Sequence, residues 1–158
     1  MDHSVGAGAN GELSGYDERP SVSGPHRANG IYLIRFRNVD KNNRHPGFLR
    51  GYGYQGDAGP NFDFGAEGFG VGYKRAVRRG VYNISLGAFG ESLARNDNFI
   101  AIDPELKDAW GIPALRITMT HGENERALMK DAAAAAAEMI EAAGAKRITI
   151  NSSLAMAV

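Results

Sequence analysis

The chain contains no cysteine, which excludes a disulfide framework, thiolate metal ligands and a thiol nucleophile. Its eighteen basic and eighteen acidic residues balance to a formal charge of zero, without a long block of one sign. The sequence therefore lacks the electrostatic footprint of a nucleic-acid binder and the polybasic segment that docks on anionic membranes. It also lacks a membrane-spanning run, because the most apolar stretch, 131–143, is short and is interrupted by two glutamates.

No basic and apolar leader follows Met1, so the cytoplasm is the default expectation, and export stays open for a longer form of the protein. The length of 158 residues suits one domain. Its 21 glycines are concentrated in the first ninety residues, since only Gly111, Gly122 and Gly144 follow Gly90. This distribution predicts a loop-rich lead-in over 1–30 and a sheet-plus-helix domain over 31–158.

Hydrophobic periodicity predicts an α+β fold in which an antiparallel sheet carries its helices on one face, with no Rossmann unit in this chain. The predicted helices cover 66–79 and 123–143, the second ending at Gly144. Period-two alternation predicts strands at 31–37, 48–55, 81–89, 98–102, 114–120 and 148–150. The strands 98–102 and 114–120 are expected to form an antiparallel pair.

One face of the predicted sheet is polar. In the strand 81–89 the alternation places Tyr82, Ile84, Leu86 and Ala88 on the apolar side. The polar side is predicted to carry Asn83, Ser85, Gly87, Arg116, Thr118 and Thr120. Two interpretations stay open: solvent wets this face, or it covers a ligand or another domain. Glu91, at the end of the same strand, is either a general base or a surface glutamate in an ion pair.

Sequence motifs give little independent evidence for a known site. Gly6–Gly11 and Gly51–Gly56 both match G-x-G-x-x-G, but neither joins a strand to the start of a helix, as dinucleotide binding requires. The histidines, which are His3, His26, His45 and His121, show no zinc-ligand spacing. We therefore predict neither a nucleotide site nor a metal site from motifs alone.

Several segments together resemble the glucose-methanol-choline (GMC) family of flavin oxidoreductases, in its bacterial choline-dehydrogenase-like branch. Met1-Asp2-His3 is similar to the end of the family's G-x-N-L-x-D-H motif, and the most specific match is Asp108 to Ile117 (DAWGIPALRI). The other matching segments are 25–27, 34–38, 50–53, 87–91, 95–98, 102–104 and 124–126. The resemblance covers nearly the whole chain.

The resemblance implies the core of a substrate-binding domain, whose sheet covers an FAD held by a separate flavin-binding domain. It implies oxidation of an alcohol or sugar CH–OH group by hydride transfer to flavin. In the family, the catalytic histidine segment lies after the long helix, so the catalytic pair is expected beyond Val158 and the isolated chain is expected to be inactive. The family's FAD fingerprint lies upstream of the D-H motif, so the isolated chain is expected to bind no FAD tightly. His3 would be a cofactor contact.

Strand alternation, placed in that family context, predicts the residues nearest the substrate. The substrate-facing candidates are Gln55, Asn83, Ser85, Glu91 and Arg116. Two alternatives stay open beside a fragment of one long enzyme. The chain is then either a stand-alone module that binds a ligand or a protein, or one subunit of a split flavoenzyme.

Overall fold

The computed structural model describes residues 3–15, 30–60, 65, 67–78, 81–153 and 155–156. Within these ranges two helices, α1 (Gly70–Arg78) and α2 (Glu123–Ala142), accompany eight strands. The strands are β1 (His3–Leu13), β2 (Ile31–Leu33), β3 (Tyr52–Pro60), β4 (Tyr82–Glu91), β5 (Phe99–Lys107), β6 (Pro113–Thr118), β7 (Lys146–Asn151) and β8 (Ala155–Met156).

The strands form one large sheet and one separate hairpin. The large sheet has the order β2-β3-β4-β1-β7, with β8 also paired to β1, whereas β5 and β6 pair only with each other. Every strand pair in the described ranges is antiparallel. The fold is therefore α+β, and the described residues contain no Rossmann unit.

Helix α2 packs on one face of the large sheet, mainly against β1, β4 and β7. The helix contributes Leu128, Met129, Ala132, Ala136 and Ile140, which are buried. The sheet meets them with side chains of alternate residues, which include Ala7, Ala9, Tyr52, Tyr54, Ile84, Leu86 and Ala88. The predicted apolar side of β4 is thus confirmed for Ile84, Leu86 and Ala88.

The prediction of a loop-rich lead-in is wrong for residues 3–13, which form β1 between β4 and β7. Its glycines and alanines allow α2 to lie close to the sheet, because a Cβ added at Gly11 would come within 3.4 Å of the Ile140 side chain of α2. Small residues needed for close packing have the composition of a loop, and this misled the sequence interpretation. Residues 16–29 of the predicted lead-in, with Met1 and Asp2, lie outside the described residues.

The remaining elements differ from prediction mostly at their ends. The first predicted strand, 31–37, ends at Leu33, and the second begins at Tyr52 and continues to Pro60 through Gly56 and Gly59. Helix α1 begins at Gly70 rather than 66, and positions 66 and 79 are outside the described residues. Helix α2 is confirmed, with Gly144 after its end at a φ of 89°.

Candidate functional site

The face of the large sheet opposite α2, called the outer face here, carries a polar depression of about 310 Å³ at its centre. Side chains and backbone of β1, β3, β4 and β7 line it. Its main lining residues are Gly8, Asn10, Gln55, Ser85, Gly87 and Asn151. The depression is therefore built from four strands that are far apart in the sequence.

The strand register explains why these residues meet. Gln55 lies opposite Gly87, Gly87 opposite Gly8, and Gly8 opposite Asn151, which makes one row across the sheet. In the adjacent row Asp57, Ser85, Asn10 and Thr149 lie side by side in the same way. The two glycines leave bare backbone at the centre of the first row, with amide side chains at both ends. The site thus has a flat floor and polar edges.

Glycine is required at the centre of this floor by close backbone packing. A Cβ added at Gly8 would overlap the carbonyl oxygen of Leu86. A Cβ added at Gly87 would instead meet mostly open space, with the Gln55 carbonyl oxygen at 3.5 Å as its nearest neighbour. Any side chain at position 87 would therefore fill the depression.

Hydrogen bonding in the depression leaves acceptors available to a ligand. The Ser85 hydroxyl donates to the Asp57 carboxylate, so its own oxygen can still accept a hydrogen bond. Gln55 is exposed, as is Asn10. No arginine or lysine lines the depression, and the described residues contain no group of histidine and acidic side chains suited to a metal ion. The arrangement suits an uncharged polar ligand.

A second cavity, of about 200 Å³, lies toward one end of the same sheet. Its lining includes His3, Tyr32, Arg35, Phe89 and Glu91. The rings of Tyr32 and Phe89 are 5.9 Å apart, and the backbone of Gly53 lies beneath Phe89, where a Cβ would come within 3.2 Å of the ring. This end of the site is therefore aromatic, with a histidine and a carboxylate at its border.

The predicted site residues fall into four groups in the structure, of which Arg116, in the separate hairpin, is the last. Gln55 and Ser85 line the polar depression together. Asn83 is near the start of β4, before Ser85. Its buried Oδ1 has no hydrogen-bond partner among the described residues. His3 and Glu91 are opposite each other in the β1–β4 register and border the aromatic cavity. Glu91 also forms an ion pair with Arg50, with Oε2 and Nε 3.4 Å apart.

The predicted placement of Arg116, Thr118 and Thr120 on the same polar face is wrong. Arg116 and Thr118 are in β6, which belongs to the separate hairpin, and Thr120 follows that strand. The guanidinium of Arg116 binds Asp103 across the hairpin at 2.7 Å. Alternation along a strand assigns a side chain to a face but does not say which sheet the strand joins.

Sequence reasoning missed Asn10, Asp57 and Asn151 because it placed them in loops or beyond the last strand. A detectable signal was present in β1, where small residues at 7, 9 and 11 alternate with Asn10 and Glu12. Such alternation indicates a strand with one packed and one polar face. Its apolar members are only alanine and glycine, so the pattern is weak on a hydrophobicity scale.

The segment between β2 and β3 is held against α2 by a cluster of polar side chains. Tyr52 donates its phenolic hydrogen to Asp131 on α2, and Arg37 Nε binds the same carboxylate at 3.0 Å. Burial, together with the hydrogen bond to Asp131, raises the pKa of Tyr52 to about 12. Tyr52 therefore stays protonated at neutral pH and anchors β3, at the border of the aromatic cavity, to α2.

Comparison with known proteins gives one informative similarity. No family model matches the sequence. The 2-methyl-1,2-propanediol dehydrogenase of Mycolicibacterium austroafricanum is 31% identical over 107 residues, which are 62% of this chain and 19% of that protein. The matched part of the chain thus spans about a fifth of its curated relative. The similarity indicates a relationship to an oxidoreductase.

Within the described part of the chain, neither helix is both long enough and apolar enough to cross a bilayer.

Proposed function

We propose that this chain provides the substrate-binding sheet of an FAD-dependent alcohol oxidoreductase of the glucose-methanol-choline type. In this proposal the outer face covers a flavin held by a separate flavin-binding domain, and a small alcohol or sugar binds between them. The observation that carries the proposal is the polar depression with a glycine floor on the face that α2 leaves uncovered. The similarity to a dehydrogenase supports the redox class.

The residues of the depression fit the ring end of such a cofactor but not its phosphates. Bare backbone at Gly8 and Gly87 permits close approach of a planar ring, and Gln55 and Asn151 offer amide groups beside it. The depression has no basic side chain to meet a pyrophosphate. We therefore assign phosphate binding to the flavin-binding domain. When bound, FAD supplies the acceptor for the hydride of the alcohol carbon.

The chain's own contribution in this proposal is orientation of the hydroxyl group and exclusion of water. The Ser85 oxygen, whose hydrogen is directed to Asp57, would accept the alcohol's hydroxyl hydrogen, and the Gln55 amide would fix the second polar group of a diol. Tyr32 and Phe89 would cover the apolar part of the substrate. No catalytic acid or base is assigned to the described residues.

The test uses the complete reading frame that encodes the chain, or the chain co-expressed with its flavin-binding domain. Gly87→Leu should fill the depression and lower kcat/KM for 2-methyl-1,2-propanediol at least about tenfold, since misplacing a substrate by about 1 Å costs as much or more. Gly59→Leu is the matched control, because it adds the same side chain at an open site near the end of β3. Flavin absorbance of the purified protein verifies cofactor loading.

The outcomes separate the proposal from its alternatives. A yellow protein whose alcohol-dependent dye reduction falls in Gly87→Leu but not in Gly59→Leu supports it. A colourless preparation from the complete reading frame contradicts it. Saturable binding of an alcohol by the colourless chain would instead support a ligand-binding module without redox chemistry.

A further inference from the structure

Another cavity of the described residues lies away from the outer-face depression, against the segment between β2 and β3. It has a volume of about 550 Å³, within the range of small-molecule sites. Four basic side chains line it, Arg35, Lys41, Arg44 and Arg50, and we call it the basic cavity. The chain as a whole has no net charge, so this concentration of positive charge is local.

The positive charge in the basic cavity is largely uncompensated. Arg50 pairs with Glu91, but Arg35, Lys41 and Arg44 have no acidic partner among the described residues. Asp40 is the one acidic residue in the lining, where its Oδ1 accepts the backbone N–H groups of Asn42 and Asn43; its charge offsets one of the cations, so the lining keeps a positive excess. Cationic side chains that share a cavity without acidic partners repel one another until an anion joins them.

The loop that carries these side chains is held in a fixed conformation. Asn38 and Arg50 adopt φ values of 54° and 67°, which residues other than glycine rarely do. The Asn38 amide nitrogen donates to the carbonyl oxygens of Phe48 and Arg50, and its oxygen accepts the His45 N–H at 2.6 Å. Leu49 N–H donates to Asn124 at 2.7 Å, which ties the loop to α2. The backbone that carries the basic side chains is thus held in place.

The lining also contains apolar surface and one constrained arginine. Phe48 is buried, and Leu49 and Leu93 add further apolar groups. The stem of Arg35 lies so close to Gly51 that a Cβ at position 51 would overlap it. Arginine and lysine side chains in a concave, partly apolar site suit a ligand that has both an anionic group and an organic part.

We propose that the basic cavity binds a small organic molecule through a phosphate group. Phosphate carries up to two charges on oxygens that match the planar fork of arginine, whereas a single carboxylate would neutralise only one of the three unpaired cations. The concave shape favours a soluble ligand over a lipid surface. The inference does not rest on the proposed redox function, because Lys41 and Arg44 line neither cavity of the outer face, although Arg35 also borders the aromatic cavity.

The experiment measures binding of inorganic pyrophosphate, the simplest probe with the required chemistry, by calorimetry at low ionic strength. The test variant is Lys41→Gln/Arg44→Gln, in which two exposed side chains of the cavity lose their charge. The matched control is Arg126→Gln/Lys130→Gln, which removes the same charge from the exposed surface of α2. Both variants are checked for an unchanged melting temperature.

Pyrophosphate should bind wild type saturably, and its affinity should fall at least about tenfold in the cavity variant, since charge-assisted hydrogen bonds are lost. The control should keep wild-type affinity. Equal losses in both variants, or no saturable binding by wild type, would overturn the proposal. Citrate that binds as tightly as pyrophosphate would overturn the assignment to phosphate, and binding to phosphatidic acid vesicles without binding to pyrophosphate would overturn the assignment to a soluble ligand.

Discussion

At the scale of single residues, Glu125 shows how one buried carboxylate joins two parts of the chain. Its side chain accepts the backbone N–H of Gly122 at 2.7 Å and that of Leu93 at 3.0 Å, and Asn124 adds a third hydrogen bond. Burial alone would raise its pKa, but these donors outweigh burial and lower the pKa below the ordinary value of 4.5. The hydrogen bond from Leu93 joins residues that are 32 apart in the sequence, so it depends on tertiary structure and leaves no local sequence pattern.

Replacing Glu125 tests this link. Glu125→Ala leaves two backbone donors without their acceptor and should lower the free energy of unfolding by about 1–3 kcal/mol at pH 7. Glu125→Gln keeps an acceptor oxygen, so it should lower the free energy of unfolding by less than Glu125→Ala does. The folded-state pKa is depressed, so the contribution of the charge is present above pH 4.5 and is lost as pH falls through the folded value. Urea denaturation at pH 7 and pH 3 measures both effects, and an equal loss for Glu125→Ala at the two pH values would contradict this account.

Glu91 is a second residue whose role could not be assigned from the sequence. Glu91 was left open between a general base and an ion-pair partner, and the structure shows the ion pair with Arg50. The same residue borders the aromatic cavity, so the two roles are compatible in space. A charged residue at a strand end has the same local pattern in either role.

At the scale of elements, the sequence predicted α2 well and β1 poorly for one physical reason. Large apolar residues such as Leu128 and Ile140 recur with helical spacing, and Gly144 marks the helix end. Strand β1 is buried with almost no large side chain, because α2 approaches it through alanines. Small residues that meet small residues give a close contact and little hydrophobic signal.

Because α2 lies close to the sheet, we expect a larger side chain at a buried position of this helix to lower the stability of the fold. Ala136 is fully buried in the core cluster, so Ala136→Leu should lower the free energy of unfolding by about 1–3 kcal/mol through overpacking. Ala134 is exposed on the same helix, so Ala134→Leu should change it by less than about 0.5 kcal/mol. Thermal or urea denaturation measures both, and similar values for the two variants would show that the helix does not pack as described.

At the scale of the whole molecule, the division into two sheets limited what the sequence could predict. Each of β4, β5 and β6 was expected from its pattern, but a pattern does not identify the neighbour of a strand. Arg116 was therefore predicted to be in the wrong sheet. Asn10 and Asn151 lie near Gln55 and Ser85 only because strands that are far apart in the sequence pair with one another. The depression therefore depends on the order of the strands in the sheet. The antiparallel α+β class could be predicted without knowing that order.

The same division predicts that the β5–β6 hairpin opens more readily than the rest of the molecule. Two-stranded hairpins are marginally stable in water, and this one has its apolar side exposed at Ile100, Ile102, Leu115 and Ile117. No extensive contact joins it to another described element, whereas β4 is paired on both sides. Local opening sets amide exchange rates.

Hydrogen exchange followed by mass spectrometry should thus show rapid deuterium uptake in peptides of Phe99–Lys107 and Pro113–Thr118. The matched control is the peptide of Tyr82–Glu91. Its amides should exchange only when the whole molecule unfolds, because β3 and β1 flank this strand. Equal protection of hairpin and control would mean that another protein surface covers the apolar side of β5 and β6 in solution. Repeating the measurement with the complete reading frame then separates a partner domain from self-association, since only self-association makes the protection depend on protein concentration.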